Sequence, residues 1–216
     1  MAAPHQVPVL GVNLGRLGFL AEVQPGEWRE VLDRVLAGDF WIEQRMLLRV
    51  EHWREGQLLS AHVGLNEAVV GRGALAPPAR LTTLIDGYTL TTYVADGLII
   101  ATPTGSTAYA LAAGGPILPP ELKNILLIPI APHLSMERAI VLSQGATVEV
   151  IPFTDADHAA LLNVDGQVRE ALLDGDTVRV QMSESVAGLV RVRPPTYFYA
   201  SLMARMTNNP SAHKPK

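Results

Sequence analysis

Four Asp-Gly dipeptides, Asp86-Gly87, Asp96-Gly97, Asp165-Gly166 and Asp174-Gly175, cut the chain into short segments, and this punctuation constrains its fold more than any other feature. Asp-Gly marks tight turns because both residues tolerate positive φ. Around these signals Leu47 to Trp53, His62 to Val70, Arg80 to Ile85, Thr89 to Val94, Leu98 to Thr102 and Thr147 to Pro152 are short and β-branched, and each reads as a strand. Asn163 to Met182 reads as an antiparallel meander, since Val178, Val180 and Met182 alternate with period two between its Asp-Gly turns. Asp86-Gly87 and Asp174-Gly175 are expected to be hairpin turns and nothing more. Ahead of the strands, Trp28, Val31, Leu32, Val35 and Leu36 have helical spacing within Glu27 to Ala37, with Gly38 as the stop, so one apolar stripe is expected to face a core. Val7 to Gly11 reads as a short buried strand entering a loop with Gly15 and Gly18, part of an α/β unit. A second helix, Ser106 to Ala113, is expected to be capped by hydroxyls and ended by Gly114-Gly115-Pro116.

Composition removes whole classes of chemistry. There is no cysteine, so disulfide frameworks, zinc ribbons and cysteine nucleophiles are excluded. A net charge of −4 makes no electrostatic case for nucleic acid. Apolar runs such as Ile125 to Ile130 fall well short of the ~20 residues of a membrane helix, so no membrane span is expected. The first Lys or Arg is Arg16, and Pro4 and Pro8 interrupt any signal-peptide core, which makes a cytoplasmic location the default expectation. The lysines, Lys123, Lys214 and Lys216, follow no glycine-rich loop, and neither a GxSxG elbow nor an HExxH pair occurs. Partners are expected to be small molecules.

The segment most suited to a polar ligand is Thr102-Pro103-Thr104-Gly105-Ser106-Thr107-Ala108-Tyr109. Free N–H groups at a helix start, clustered hydroxyls and a glycine suit a ribose or phosphate, and Tyr109 adds a ring with a polar tip. The alternative is a self-contained cap whose Ser and Thr bond their own backbone. Asn66-Glu67, inside the apolar run Leu65 to Val70, either binds something or caps an edge. His133 could meet a phosphate or a loop carbonyl, and Asp155, Asp157 and His158 read as a solvated turn, with no metal assigned.

Taken in order, these pieces resemble the NAD kinase family. The resemblance runs through Gly11 to Leu20, Leu65-Asn66-Glu67, Asp96-Gly97-Leu98, Thr102 to Tyr109, Gly114-Gly115-Pro116-Ile117, Pro129 to His133 and Asp165-Gly166-Gln167. It implies phosphorylation of the adenosine 2′-hydroxyl of NAD to give NADP, with Mg²⁺ or another divalent metal and with ATP or polyphosphate as donor. It implies that Asn66 and Glu67 bind the adenine and ribose part of NAD, that Ser106, Thr107, Ala108 and Tyr109 close on the same nucleotide, and that Phe19 packs on the adenine. Asp96, Ala110, Leu111, Ala112 and Gln167 fall where the family makes further contacts, some across a subunit interface, so a homo-oligomer, dimer or tetramer, is implied. The implied fold is α+β and β-rich: a remnant of an amino-terminal α/β domain at 1–38, a β-sandwich NAD-binding domain at 39–190, a carboxyl-terminal segment at 191–206 packing back on the α/β part, and a disordered tail at 207–216.

The chain also departs from the family pattern. Ala95 stands where a glycine is common, and Ala110 and Ala112 replace frequent serines. The Gly-Gly-Asp-Gly motif, whose aspartate is the family's general base, does not occur, so no catalytic residue is assigned. Phosphoryl transfer needs a group oriented to take the hydroxyl proton. Met1-Ala2-Ala3-Pro4 resembles the end of the helix that follows that motif, so the expectation is a truncated or mis-started reading frame, inactive alone. The alternative is a non-catalytic NAD(P)-binding module.

Overall fold

A computed structural model describes residues 5–14, 20–73, 77–133, 138–154 and 160–207, with side chains to residue 203. Phe19, Gly15, Gly18, Asp155, Asp157, His158 and nearly all of the expected tail lie outside the described residues. The chain divides into two compact units, one of Met1–Gln44 with Ala187–Lys216 and one of Arg45–Val186.

The second unit is a β-sandwich. Its strands are β1 Trp41–Arg54, β2 Gln57–Gly64, β3 Glu67–Arg72, β4 Ala79–Ile85, β5 Tyr88–Ala95, β6 Gly97–Ala101, β7 Ile125–Ile130, β8 Ile140–Leu142, β9 Val148–Phe153, β10 Ala160–Val164, β11 Val168–Leu172 and β12 Thr177–Arg191. The first sheet has the order β2-β1-β12-β9-β4-β5 and the second β11-β10-β3-β6-β7-β8. Alternation along these strands builds the core. Leu48, Val50, Leu81, Tyr93, Val148, Val150, Val178 and Val180 of the first sheet meet Val70, Leu98, Ile100, Leu127 and Leu162 of the second.

Strand β6 is buried along its whole length, because the second sheet is covered on both faces. Leu98 and Ile100 enter the sandwich core, while Ile99 and Ala101 join Ala110, Leu118, Leu126 and Ile128 in a second cluster on the outer face. That cover is the chain after β6, which includes helix α2, Tyr109–Ala112. Its packing fixes the Thr102 to Tyr109 segment at the end of β6.

Several expectations need correction. His62 to Val70 is not one strand: β2 ends at Gly64, β3 starts at Glu67, and the two lie in different sheets. The apolar run hid the crossing because both strands are half-buried. Asp174-Gly175 does not close a hairpin either, since it joins β11 of the second sheet to β12 of the first. Turn chemistry sets the local bend and does not choose the strand's partner. Helix Ser106 to Ala113 is split into a 3₁₀ turn, Gly105–Thr107, and α2, neither with a side-chain cap.

In the first unit, Val7 to Gly11 forms only a single parallel bridge, Val9 to Leu189. Helix α1, Trp28–Leu36, agrees with its periodicity, yet only Val31 of it is buried, and Trp28, Leu32 and Leu36 are exposed. Spacing says which residues share a face and cannot say that the face is covered. Buried Arg191 pairs with Glu43 at 2.7 Å, and Glu22 accepts the backbone N–H groups of Val192 and Arg193. A third helix, α3, spans Tyr197–Thr207, where sequence reading named no helix.

Candidate functional site

The crossing from β2 to β3 and the turn after β6 are brought together by strand register. Glu67, first residue of β3, pairs with Ala101, last residue of β6. The residues before β3 and those after β6 therefore lie side by side. Thr102 then ties them: its N–H donates to the Asn66 carbonyl at 2.9 Å and its hydroxyl to the Leu65 carbonyl at 2.6 Å. At Gly105 a Cβ would overlap the Asn66 carbonyl, so only glycine permits this approach.

The hydroxyls of the segment are mostly engaged within it. Ser106, fully buried, donates to the Pro103 carbonyl at 2.6 Å and accepts the Leu118 N–H at 2.9 Å. Thr107 donates to the Thr104 carbonyl at 3.0 Å, and the Thr104 hydroxyl accepts from the buried guanidinium of Arg45 at 3.1 Å. Ser106 is thus a brace of the loop. What the loop turns outward is Ala108 and the half-exposed ring of Tyr109.

Glu67 is the unusual group here. Its carboxylate is half-buried, accepts the Tyr109 backbone N–H, and keeps an Oε2 with no hydrogen-bond partner among the described residues. Burial first, and the neighbouring Asp165 carboxylate second, raise its pKa to about 7. An unsatisfied buried carboxylate oxygen is costly, which is why such groups concentrate at ligand sites. Asn66 flanks it, and its side-chain amide makes no hydrogen bond among the described residues. Gln167, exposed, sits in the β10–β11 connection beside Asp165.

Other residues named from sequence lie apart. Ala110 is fully buried in the apolar cluster beneath α2, whereas Leu111 and Ala112 are exposed. Asp96 stands at the far end of the β3–β6 ladder, next to Gly97, which pairs with Gly71. Five strand steps, about 17 Å, separate it from Glu67. There it binds Arg72 at 2.7 Å. Sequence reasoning put Thr102 and Gly105 in the ligand segment but missed that they, with Asp165, tie the two strand ends together. Asp165 was hidden by its own dipeptide, because Asp-Gly has so strong a turn reading.

No helix among the described residues is long and apolar enough to cross a membrane. Among them, too, no three His, Asp or Glu side chains are grouped to hold a metal ion.

Comparison with known proteins bears on the same segments. Residues 65–192 match the model of the ATP-NAD kinase C-terminal domain and residues 1–40 that of the ATP-NAD kinase N-terminal domain. The chain is 45% identical over 203 residues to the NAD kinase of Chloroflexus aurantiacus, covering 94% of this chain and 73% of that one. With the NAD kinase of Geobacter sulfurreducens it shares 45% identity over 194 residues, 90% of this chain and 68% of that one. Among solved structures, yeast NADH kinase complexed with NADH superposes with a TM-score of 0.86 at 29% identity, over 98% of this chain and 62% of that chain. An NAD kinase from Archaeoglobus fulgidus in complex with ATP gives a TM-score of 0.76 at 28% identity, over 91% and 74%. With the interlocked Asn66-Glu67 and Thr102 to Tyr109 segments inside the matched region, the chain belongs to the NAD kinase family.

Proposed function

We propose that this protein binds NAD in the cradle between Asn66-Glu67 and Thr107 to Tyr109 and serves the transfer of a phosphoryl group from ATP or polyphosphate to the adenosine 2′-hydroxyl, giving NADP. The observation that carries this reading is the orphaned, buried Oε2 of half-buried Glu67, set beside an open Asn66 amide and an outward Tyr109 ring. An amide offers donor and acceptor together, as an adenine edge requires. Glu67 can accept from ribose hydroxyls when ionised. The Tyr109 ring offers a face for stacking.

Phosphoryl transfer rests on positioning and charge neutralisation. The divalent ion would enter with the phosphates of its nucleotide, as Mg²⁺ commonly does. Asp96 stands at the opposite end of the β3–β6 ladder from Glu67 within one chain, and in a homo-oligomer it would serve the nucleotide of a second copy. Small nucleotides in the cytoplasm are the partners this reading supplies. Residues 1–216 contain no Gly-Gly-Asp-Gly run, and the residues present hold and orient NAD without an assigned proton acceptor for the 2′-hydroxyl. The 216-residue chain alone is therefore expected to bind NAD while forming no NADP.

The test is calorimetric titration of NAD, followed by incubation with NAD and MgATP or polyphosphate and chromatography for NADP. Binding without turnover is the expected result. Absence of NAD binding would overturn the site, and NADP formation by the chain alone would overturn the account of the proton acceptor.

A further inference from the structure

One carboxylate controls the whole backbone of the β2–β3 crossing. Asp165 Oδ2 accepts the Leu65 N–H at 2.6 Å, and its Oδ1 accepts the N–H groups of Asn66 at 2.8 Å and Glu67 at 3.0 Å. Its own N–H donates to the Glu67 carbonyl at 3.0 Å. Thr102 takes the two remaining carbonyls, those of Leu65 and Asn66. Every backbone polar group of Leu65, Asn66 and Glu67 is thus bound by Asp165 or Thr102, and only the side chains are left to a ligand. Gly105 closes the other side, against the Asn66 carbonyl, and leaves no slack.

The conformation of Asp165 fits this task. It has φ 50° and precedes Gly166 at φ 71°, so the chain turns back at the end of β10 with the carboxylate directed at the crossing. Asp and Asn tolerate that region better than other side chains, but Asn offers only one accepting oxygen where the crossing presents three donors. A charged acceptor for three amides is stronger than a neutral one.

We propose that Asp165 is a positioning residue for the dinucleotide: by clamping the backbone of Leu65 to Glu67 it fixes the Asn66 amide and the Glu67 carboxyl in their binding geometry. This rests on the NAD-binding reading of the cradle. A second consequence follows from charge. Asp165 is the ionisable group that raises Glu67 by like-charge repulsion, while from the facing loop the Tyr109 backbone N–H opposes it. Removing the Asp165 charge lets Glu67 release its proton at lower pH.

The test uses the full chain and the variants Asp165→Ala and Asp165→Asn, each checked for a cooperative melt. Amide hydrogen exchange at Leu65 to Glu67 and the ¹³C titration of the Glu67 carboxyl need no ligand, and NAD affinity is measured by calorimetry. With Asp165→Ala, exchange at these amides is expected to accelerate at least about tenfold relative to β6 and β7, the Glu67 midpoint to fall, and NAD to bind about tenfold to a hundredfold more weakly. Asp165→Asn keeps the shape and one accepting oxygen, so its exchange and affinity should fall between Asp165→Ala and wild type. Should Asp165→Ala fail to fold, the Asn variant alone decides. Unchanged exchange and an unmoved Glu67 midpoint in a folded variant would overturn the clamp, as would unchanged NAD affinity. If the wild-type chain binds no NAD while exchange and titration shift as stated, the NAD reading fails and the clamp on the crossing stands.

Discussion

Two acidic clusters in the sandwich unit use the same residue types to opposite ends. At the β1–β2 edge, Asp176 is fully buried and holds Arg54 through two bonds of 2.7 and 2.8 Å, His52 at 2.9 Å and the Leu173 N–H at 2.7 Å. Glu170 completes this cluster with Ser60, His62 and the second nitrogen of His52. Although burial alone would raise Asp176, the Arg54 guanidinium and its other donors bring its pKa down to about 2. At the β3–β6 end, Glu67 is driven up to about 7 and keeps an oxygen without a partner. A carboxylate surrounded by donors joins strands of both sheets. One left short of donors beside another carboxylate costs stability, and it is the group the proposed NAD site would use.

The sharpest way to break this comparison is Asp176→Ala, which strands Arg54 and His52 around an emptied site. A loss of about 3–5 kcal/mol in urea unfolding is expected, with NAD affinity of the folded protein unchanged. A loss under about 1 kcal/mol would remove the structural role. Next in size is Gly105→Ala, where the new methyl meets the Asn66 carbonyl; about 2–3 kcal/mol of stability and at least about tenfold in NAD affinity should go together. Separation of the two effects would show that the loops are not interlocked as described. Asn66→Ala and Tyr109→Ala should each weaken NAD binding by about tenfold to a hundredfold, equivalent to about 1–3 kcal/mol, and leave the melting temperature nearly unchanged. Unchanged affinity in both would sink the site.

The two clusters should also answer pH in opposite directions. Glu67 has a raised folded pKa, so the folded state binds the extra proton and stability falls as pH rises from about 4.5 to 7. Glu67→Gln is therefore expected to stabilise the protein by about 1–3 kcal/mol at pH 8, a gain that disappears by pH 4. Asp176 has a depressed folded pKa, so its contribution is complete above about pH 4 and is lost as pH falls toward 2. Melts of wild type and Glu67→Gln across this range check the sign, and a gain that grows toward acid pH would contradict it. The smallest effect belongs to Asp174→Ala. Among the described residues its carboxylate accepts only the exposed Thr154 N–H, so stability should change by no more than about 0.5 kcal/mol and NAD affinity not at all.

Much of this molecule was legible in its sequence. Short β-branched segments between turn signals found β4, β5, β6 and β9 to within a residue or two, helical spacing found α1, and the ordered motifs led to the family, while β7, β8 and α3 were not read as elements. These signals are local, and local physics sets them: side-chain alternation, turn φ values and helix periodicity act within a few residues. Partnership required the folded chain. Nothing in Leu65-Asn66 announces that the backbone leaves one sheet for the other there, or that Asp174-Gly175 crosses between sheets while Asp86-Gly87 closes a hairpin. The apolar stripe of α1 could be read from spacing, but its exposure could not. The clamp is the clearest case, because Asp165 meets amides 98 to 100 residues earlier in the chain, and its Asp-Gly dipeptide looks the same as one that only turns. The sequence by itself determined most of the strands, helix α1 and the family. Only the tertiary structure decided which residues share a site, because pairing depends on strand register and on burial of a common core, and both belong to contacts between residues far apart in the chain.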